Sequence, residues 1–160
     1  MAKEKIPSTQ AIRALKEHGI KFIPRPYKYE EKGGTEVAAR KLGVDEHEVI
    51  KTLVMEDENG NPFIILMHGD KTVSTKALAR DLSSKSINPC DSKVAQKYTG
   101  YMVGGTSPFG TKKELPVYIE ESILILPRIY INAGRKGLLV EMSPSELVKI
   151  LNPKTVKVGY

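Results

Sequence analysis

One lysine interrupts the run Val49-Ile50-Lys51-Thr52-Leu53-Val54-Met55. In an extended segment, Lys51 shares a face with Val49, Leu53 and Met55. An ammonium on such a face is costly unless it reaches water, a carboxylate or an anionic ligand. It is either a lysine snorkelling at a sheet edge or a cation stationed for an anion. A second candidate is the loop Gly104-Gly105-Thr106-Ser107-Pro108-Phe109-Gly110. The pair Gly104-Gly105 lets the backbone approach a ligand, and its amides can be aimed at a developing oxyanion. Taken alone, a glycine pair is equally a structural turn. Thr106 and Ser107 follow as hydroxyls beside the same site, and Pro108 stiffens the exit. Two basic pairs, Lys112-Lys113 and Arg135-Lys136, adjoin glycine-rich turns and could hold phosphates. Each could also be a solvated turn.

Other chemistries lack support. The glycine loop matches neither G-x-x-x-x-G-K-[ST] nor a strand–G-x-G-x-x-G–helix unit. Ser107 has no G-x-S-x-G context. His18, His47 and His68 carry no metal or triad spacing, and no C-x-x-C or H-E-x-x-H occurs. No metal and no cofactor is expected. Cys90 is the single cysteine, so no internal disulfide is possible. No basic or histidine neighbour stands beside it to lower its pKa.

The 160 residues suit one domain, spanning 1–160. A hydrophobic share of 40% and a charged share of 28% belong to a globular protein. The net charge of +6 favours a polyanionic partner through counterion release. The start, MAKEKIPSTQ, lacks the apolar run of a signal peptide. No apolar stretch approaches the roughly 18 residues a membrane span needs. The expected location is the cytoplasm.

The elements that must position these residues are short. Pro7-Ser8-Thr9 opens a helix that stops at Gly19, and Ile20–Tyr29 has strand composition broken by Pro24 and Pro26. Tyr27 and Tyr29 project to the same side if extended. Thr35 opens a helix closed by Gly43. Lys51 lies in a strand that turns at Asn59-Gly60-Asn61 and returns over Pro62–Met67. Helices are expected from Ser74 to Leu82 and from Asp91 to Tyr98. Leu115–Leu126 reads as strand with a turn near Glu120–Ser122, and Ile129–Asn132 and Leu138–Met142 read as strands. Ser143-Pro144-Ser145-Glu146 is a capping box opening a helix to Leu151. This order has no regular βαβ period. It predicts a mixed α/β fold with a barrel-like sheet surrounded by helices.

Three segments in chain order resemble the YbaK/EbsC family. They are Ile50-Lys51-Thr52-Leu53-Val54, the stretch from Ala95 through Thr99-Gly100-Tyr101-Met102-Val103-Gly104-Gly105-Thr106-Ser107-Pro108-Phe109-Gly110 to Lys113, and Tyr130–Met142. That family contains Cys-tRNA(Pro) deacylases and is similar to the editing domain inserted in bacterial prolyl-tRNA synthetases. The likeness runs from about Ala11 to about Leu151. The resemblance implies a deacylase acting on mischarged aminoacyl-tRNA, of the Cys-tRNA(Pro) type, with prolyl-tRNA synthetase as a candidate partner. It implies that Lys51 is the central lysine near the terminal adenosine and ester. Thr52 and Gly104 would hold the aminoacyl group, and Tyr27 would line the same pocket. Asn132 would belong to the substrate site, although it stands where the family's S-G-G-K-R-G loop has serine. Leu139 stands where many members have aspartate, and Gly33 where phenylalanine is usual. Two other readings stay open: a non-catalytic module that binds charged tRNA or a synthetase, and a deacylase for alanyl or seryl esters.

Overall fold

The computed structural model describes residues 7–160. The one-domain reading of 1–160 therefore includes six residues that lie outside the described part. Helix α1 (Gln10–Glu17) starts where the Thr9 hydroxyl accepts the Ile12 amide. Strand β1 (Ile23–Pro26) is kept short by its two prolines. Helix α2 (Gly34–Leu42) ends on Gly43, whose φ of 69° makes a left-handed cap. Strands β2 (Val49–Asp57) and β3 (Pro62–His68) form a hairpin in continuous register, from Ile50 opposite His68 to Glu56 opposite Pro62.

Helix α3 (Thr75–Asp81) and helix α4 (Ser92–Thr99) are capped by the side chains of Ser74 and Asp91. Between them lies the three-residue strand β4 (Ile87–Pro89), which the sequence reading did not contain. Strand β5 (Val117–Glu120) stops where a turn was expected, and the strand expected to resume after it is replaced by a 3-10 turn over Glu121–Ile125. Ile123 is buried and Ile125 is 85% exposed in that turn, whereas a strand would place residues two apart on the same face. Strands β6 (Ile129–Arg135) and β7 (Leu138–Met142) form the second hairpin. Helix α5 (Pro144–Leu151) begins at the expected capping box, with Ser143 accepting the Glu146 amide. A further short strand, β8 (Lys154–Val156), was not expected.

The eight strands make one mixed sheet in the order β1-β7-β6-β2-β3-β5-β8, with β4 added beside β2. The α/β class is as expected. The sheet is open, with β1 and β8 at its two ends. Alternation along β3 explains its unbroken apolar sequence. Ile64 and Leu66 pack with Ala11, Ile12 and Leu15 of α1 and Leu147 of α5. Phe63, Ile65 and Met67 pack on the other face with Leu78 and Ala79 of α3. Val49, Tyr130 and Leu139 pack against Ala38 and Ala39 of α2. No helix among the described residues is long and apolar enough to cross a membrane.

Candidate functional site

The site begins as an interruption in strand pairing. On one side β2 is paired along its length by β3. On its other side two strands share it: β6 at Val49 and Ile50, and β4 from Met55 to Asp57. Cys90 extends the β4 contact by one bond, its amide donating to the Val54 carbonyl at 3.0 Å. Between these contacts, no strand among the described residues pairs with Lys51, Thr52 and Leu53 on that side. The interruption has causes on both sides. Asp91 caps α4 and turns the chain away from β2. Strand β6 carries a register shift between Asn132 and Arg135 and bends off.

A cleft of about 360 Å³ opens at this gap. Its floor is the segment Val49–Val54, and its walls come from Tyr27 and Tyr29, the start of α2, α4 and the glycine loop. Of the sequence candidates, Lys51, Thr52, Gly104, Thr106, Asn132 and Tyr27 line this one cleft. The Lys51 ammonium is half-buried and donates to the Lys71 carbonyl. Burial pulls its pKa below the ordinary lysine value, while Glu46 and Asp70 act in the opposite sense. Among the described residues the buried Thr52 hydroxyl has no hydrogen-bond partner. Such an orphan costs about 1–3 kcal/mol. Tyr27 has its pKa raised, first by burial and then by the neighbouring Tyr29.

The glycine loop alternates. Gly104 and Thr106 face the cleft, whereas Gly105 and Ser107 turn into the protein and are buried. The Gly105 amide donates to the Met102 carbonyl at 2.9 Å, inside the turn. The Ser107 hydroxyl accepts the Phe109 amide at 3.2 Å. Each glycine has a packing reason. A Cβ on Gly104 would stand 2.6 Å from the Tyr29 hydroxyl, and φ there is +88°. A Cβ on Gly105 would stand 2.9 Å from the Lys136 amide nitrogen.

Asn132 ties the loop to the β6–β7 hairpin. Its Oδ1 accepts the amides of Gly134 at 2.7 Å and Arg135 at 3.2 Å. Its Nδ2 donates to the carbonyls of Gly104 and Arg135, both at 3.3 Å. Asn132→Ala should therefore cost about 0.5–1.5 kcal/mol of stability, because one part-buried and three exposed hydrogen bonds are lost. Thermal unfolding checks this. An unchanged midpoint would show that the four contacts carry no net stability.

The basic pairs sit outside the cleft. Arg135 and Lys136 back directly onto Gly105. The Lys136 ammonium lies 3.1 Å from Glu31 and 5.2 Å from the centre of the Tyr29 ring. Lys112 and Lys113 pair through their amides with the last turn of α4, and the Lys113 ammonium lies over Tyr98.

Two groups that sequence spacing did not join come together nearby. The His47 and His68 rings stack in parallel, 3.7 Å apart, with Asp70 2.9 Å from His47 Nδ1. These three residues have ligating atoms close enough to surround an ion. However, His68 already bonds the His47 carbonyl and Ser122 Oγ, both at 2.7 Å. Parallel rings also aim their lone pairs side by side, not at one point. The arrangement braces the Gly69–Lys71 turn whose Lys71 carbonyl holds Lys51. Cys90 lines the cleft, and burial pushes its thiol up to about 11. It is therefore a neutral thiol near pH 7, unsuited to attack.

Sequence reasoning did not place Thr35, Ala38, Ser92, Ala95 or Val103 at the cleft. They arrive from α2, α4 and the loop by tertiary packing, and no local pattern marks them. Tyr29 was visible only as a neighbour on the side of Tyr27.

Residues 30–150 match the family described as the aminoacyl-tRNA editing domain. A protein of Enterococcus faecalis, provisionally named Cys-tRNA(Pro)/Cys-tRNA(Cys) deacylase EbsC, is 29% identical over 95% of this chain and 94% of its own. Two crystal structures share the fold. One, of a hypothetical protein, superposes with a TM-score of 0.86 over 95% of this chain and 100% of its own at 24% identity. The other is provisionally described as a trans-editing enzyme for prolyl tRNA synthetase. It has a TM-score of 0.82 over 97% of this chain and 99% of its own at 22% identity.

Proposed function

The chain belongs to the aminoacyl-tRNA editing domain family, and from that premise we propose that it hydrolyses the ester of mischarged aminoacyl-tRNA, with Cys-tRNA(Pro) as the leading substrate. The observation that carries this reading is that Lys51, Thr52 and Gly104 share one open cleft. Lys51 serves as a point charge for ribose or phosphate oxygens of the terminal adenosine. Gly104 and Thr106 form the wall against which the ester is oriented. Asn132 holds that wall, and Tyr27 closes the far side. Arg135, Lys136, Lys112 and Lys113 receive the phosphates of the acceptor end.

Among the described residues the cleft lining holds no carboxylate and no imidazole. That composition suits a reaction in which the substrate brings its own nucleophile. The cysteinyl sulfur bonds to the ester carbonyl carbon, the carbon–oxygen ester bond breaks, and the thiol proton passes to the departing 3′-oxygen, leaving free tRNA and a cysteine thiolactone that water then opens to cysteine. Tethered groups held in reacting geometry can supply roughly 7–11 kcal/mol of a barrier. For alanyl or seryl esters a water held by ribose hydroxyls and loop amides replaces the thiol.

The test is a deacylation screen of tRNA(Pro) charged with cysteine, alanine or serine, with and without prolyl-tRNA synthetase. Release of amino acid from at least one, well above spontaneous hydrolysis, is expected. Binding without hydrolysis of any would favour a non-catalytic module. Affinity for the charged tRNA should also fall with salt. Four phosphate contacts predict a log–log slope of roughly −3. A flat plot would remove the polyanion contact.

A further inference from the structure

The interrupted ladder has a direction that identifies what can fill it. The Val49 carbonyl accepts the Gly69 amide at 2.7 Å, on the β3 side of β2. The Val54 carbonyl accepts the Cys90 amide, on the opposite side. Main-chain groups alternate along a strand, and the β2–β3 register is unbroken between these points. Thr52 therefore directs both its N–H and its C=O into the gap. The β4 register pairs 55 with 89, 56 with 88 and 57 with 87. Continued, it would set position 92 opposite Thr52. Ser92 instead begins α4. The cleft occupies the place of that missing ladder residue, and Thr52 is on its surface.

We infer that the aminoacyl group binds as a one-residue β-bridge to Thr52: its α-ammonium donates to the Thr52 carbonyl, and its ester carbonyl accepts the Thr52 N–H. An antiparallel hydrogen-bonded pair exchanges two such bonds between two residues, and an aminoacyl ester carries both partners on one residue. This rests on the editing reading above and assigns its recognition chemistry. It puts a main-chain amide on the oxygen where charge develops during hydrolysis. This matters because the Gly105 amide is already bonded within its turn. Residues opposed across a ladder carry their side chains on the same face. The substrate side chain consequently lies beside Thr52, whose hydroxyl is buried and unpartnered. Inverting the α-carbon would send that side chain to the other face, so the bridge selects the L-aminoacyl configuration.

The test uses 3′-(L-alanylamino)-3′-deoxyadenosine, a non-hydrolysable amide analogue, with its D-alanyl and propionyl counterparts, on the ¹⁵N-labelled full chain. The L compound should shift the Thr52 amide strongly and slow its hydrogen exchange. The propionyl compound lacks the ammonium and should bind about tenfold or more weakly, as loss of a charge-assisted hydrogen bond requires. Thr52→Val keeps the main-chain groups and should retain the amide shift. Equal binding of the L-alanyl and propionyl compounds, or a Thr52 amide unmoved at saturation, overturns the bridge. The deacylation screen is read separately. Hydrolysis of charged tRNA with an unmoved Thr52 amide leaves the editing reading standing without the bridge. A shifted amide with no hydrolysis of any charged tRNA leaves the bridge and removes the enzyme.

Discussion

Lys51→Ala should lower deacylation of the preferred charged tRNA by roughly 10²–10³-fold, the loss typical of one preorganised electrostatic contact removed from a reacting centre. The fold should survive. The Lys51 side chain is only half-buried, and among the described residues its hydrogen bond is to the part-buried carbonyl of Lys71. Met67, opposite it across the hairpin, keeps its packing on the α3 side of the sheet. Lys51→Arg keeps the charge but replaces a compact ammonium with a planar fork, and should recover only part of the rate. Single-turnover hydrolysis with excess protein, beside a circular-dichroism melt, separates chemistry from folding. A Lys51→Ala protein with wild-type turnover on every charged tRNA would remove this lysine from the site.

The second large effect is expected at Gly104. Gly104→Ala puts a methyl 2.6 Å from the Tyr29 hydroxyl, and a side chain at φ +88° is strained before any contact is counted. The strain itself costs about 1–2 kcal/mol. Relief requires Tyr29 to swing or the loop to lift, and both line the cleft. A displacement of about 1 Å near a reacting centre can cost about 10²-fold in rate. We therefore expect kcat/KM to fall by about 10–100-fold with a modest loss of thermal stability. Gly104→Ala combined with Tyr29→Phe removes the clashing hydroxyl and should recover part of the activity. If the double variant is no better than the single one, the close approach of Tyr29 is not what makes glycine necessary here.

The parts of this fold visible in the sequence were those with a local chemical signature. Ser74, Asp91 and Ser143 announce helices through their side-chain oxygens, and all three accept the amides that a cap should accept. The β2–β3 hairpin is marked by Asn59-Gly60 and by apolar runs on both sides. Strands β4 and β8 have no such mark. Three residues, one of them Pro89, cannot display a period, and their pairing is set by distant neighbours. That is why the cleft itself was hidden. Its existence depends on where β4 stops and β6 bends, whereas Lys51 stood out because its charge is expensive among apolar neighbours.

The loop shows the same limit at finer scale. Gly104, Gly105, Thr106 and Ser107 are consecutive, so sequence reasoning treated them as one functional unit. Backbone alternation divides them. Gly104 and Thr106 reach the cleft, while the Gly105 amide and the Ser107 hydroxyl close turns inside the protein. Asn132 was singled out only through a resemblance. Its four contacts show the asparagine fastening the β6–β7 turn to the glycine loop.

The most direct measurement is photo-cross-linking of an adenosine carrying a 3′-amide-linked amino acid with a diazirine side chain, mapped by mass spectrometry. The account predicts labels within Val49–Val54 and Val103–Thr106, competed away by charged tRNA. Labelling concentrated instead around Gly110 and Leu151, on the side of α1 and α5, or unaffected by charged tRNA, would contradict it.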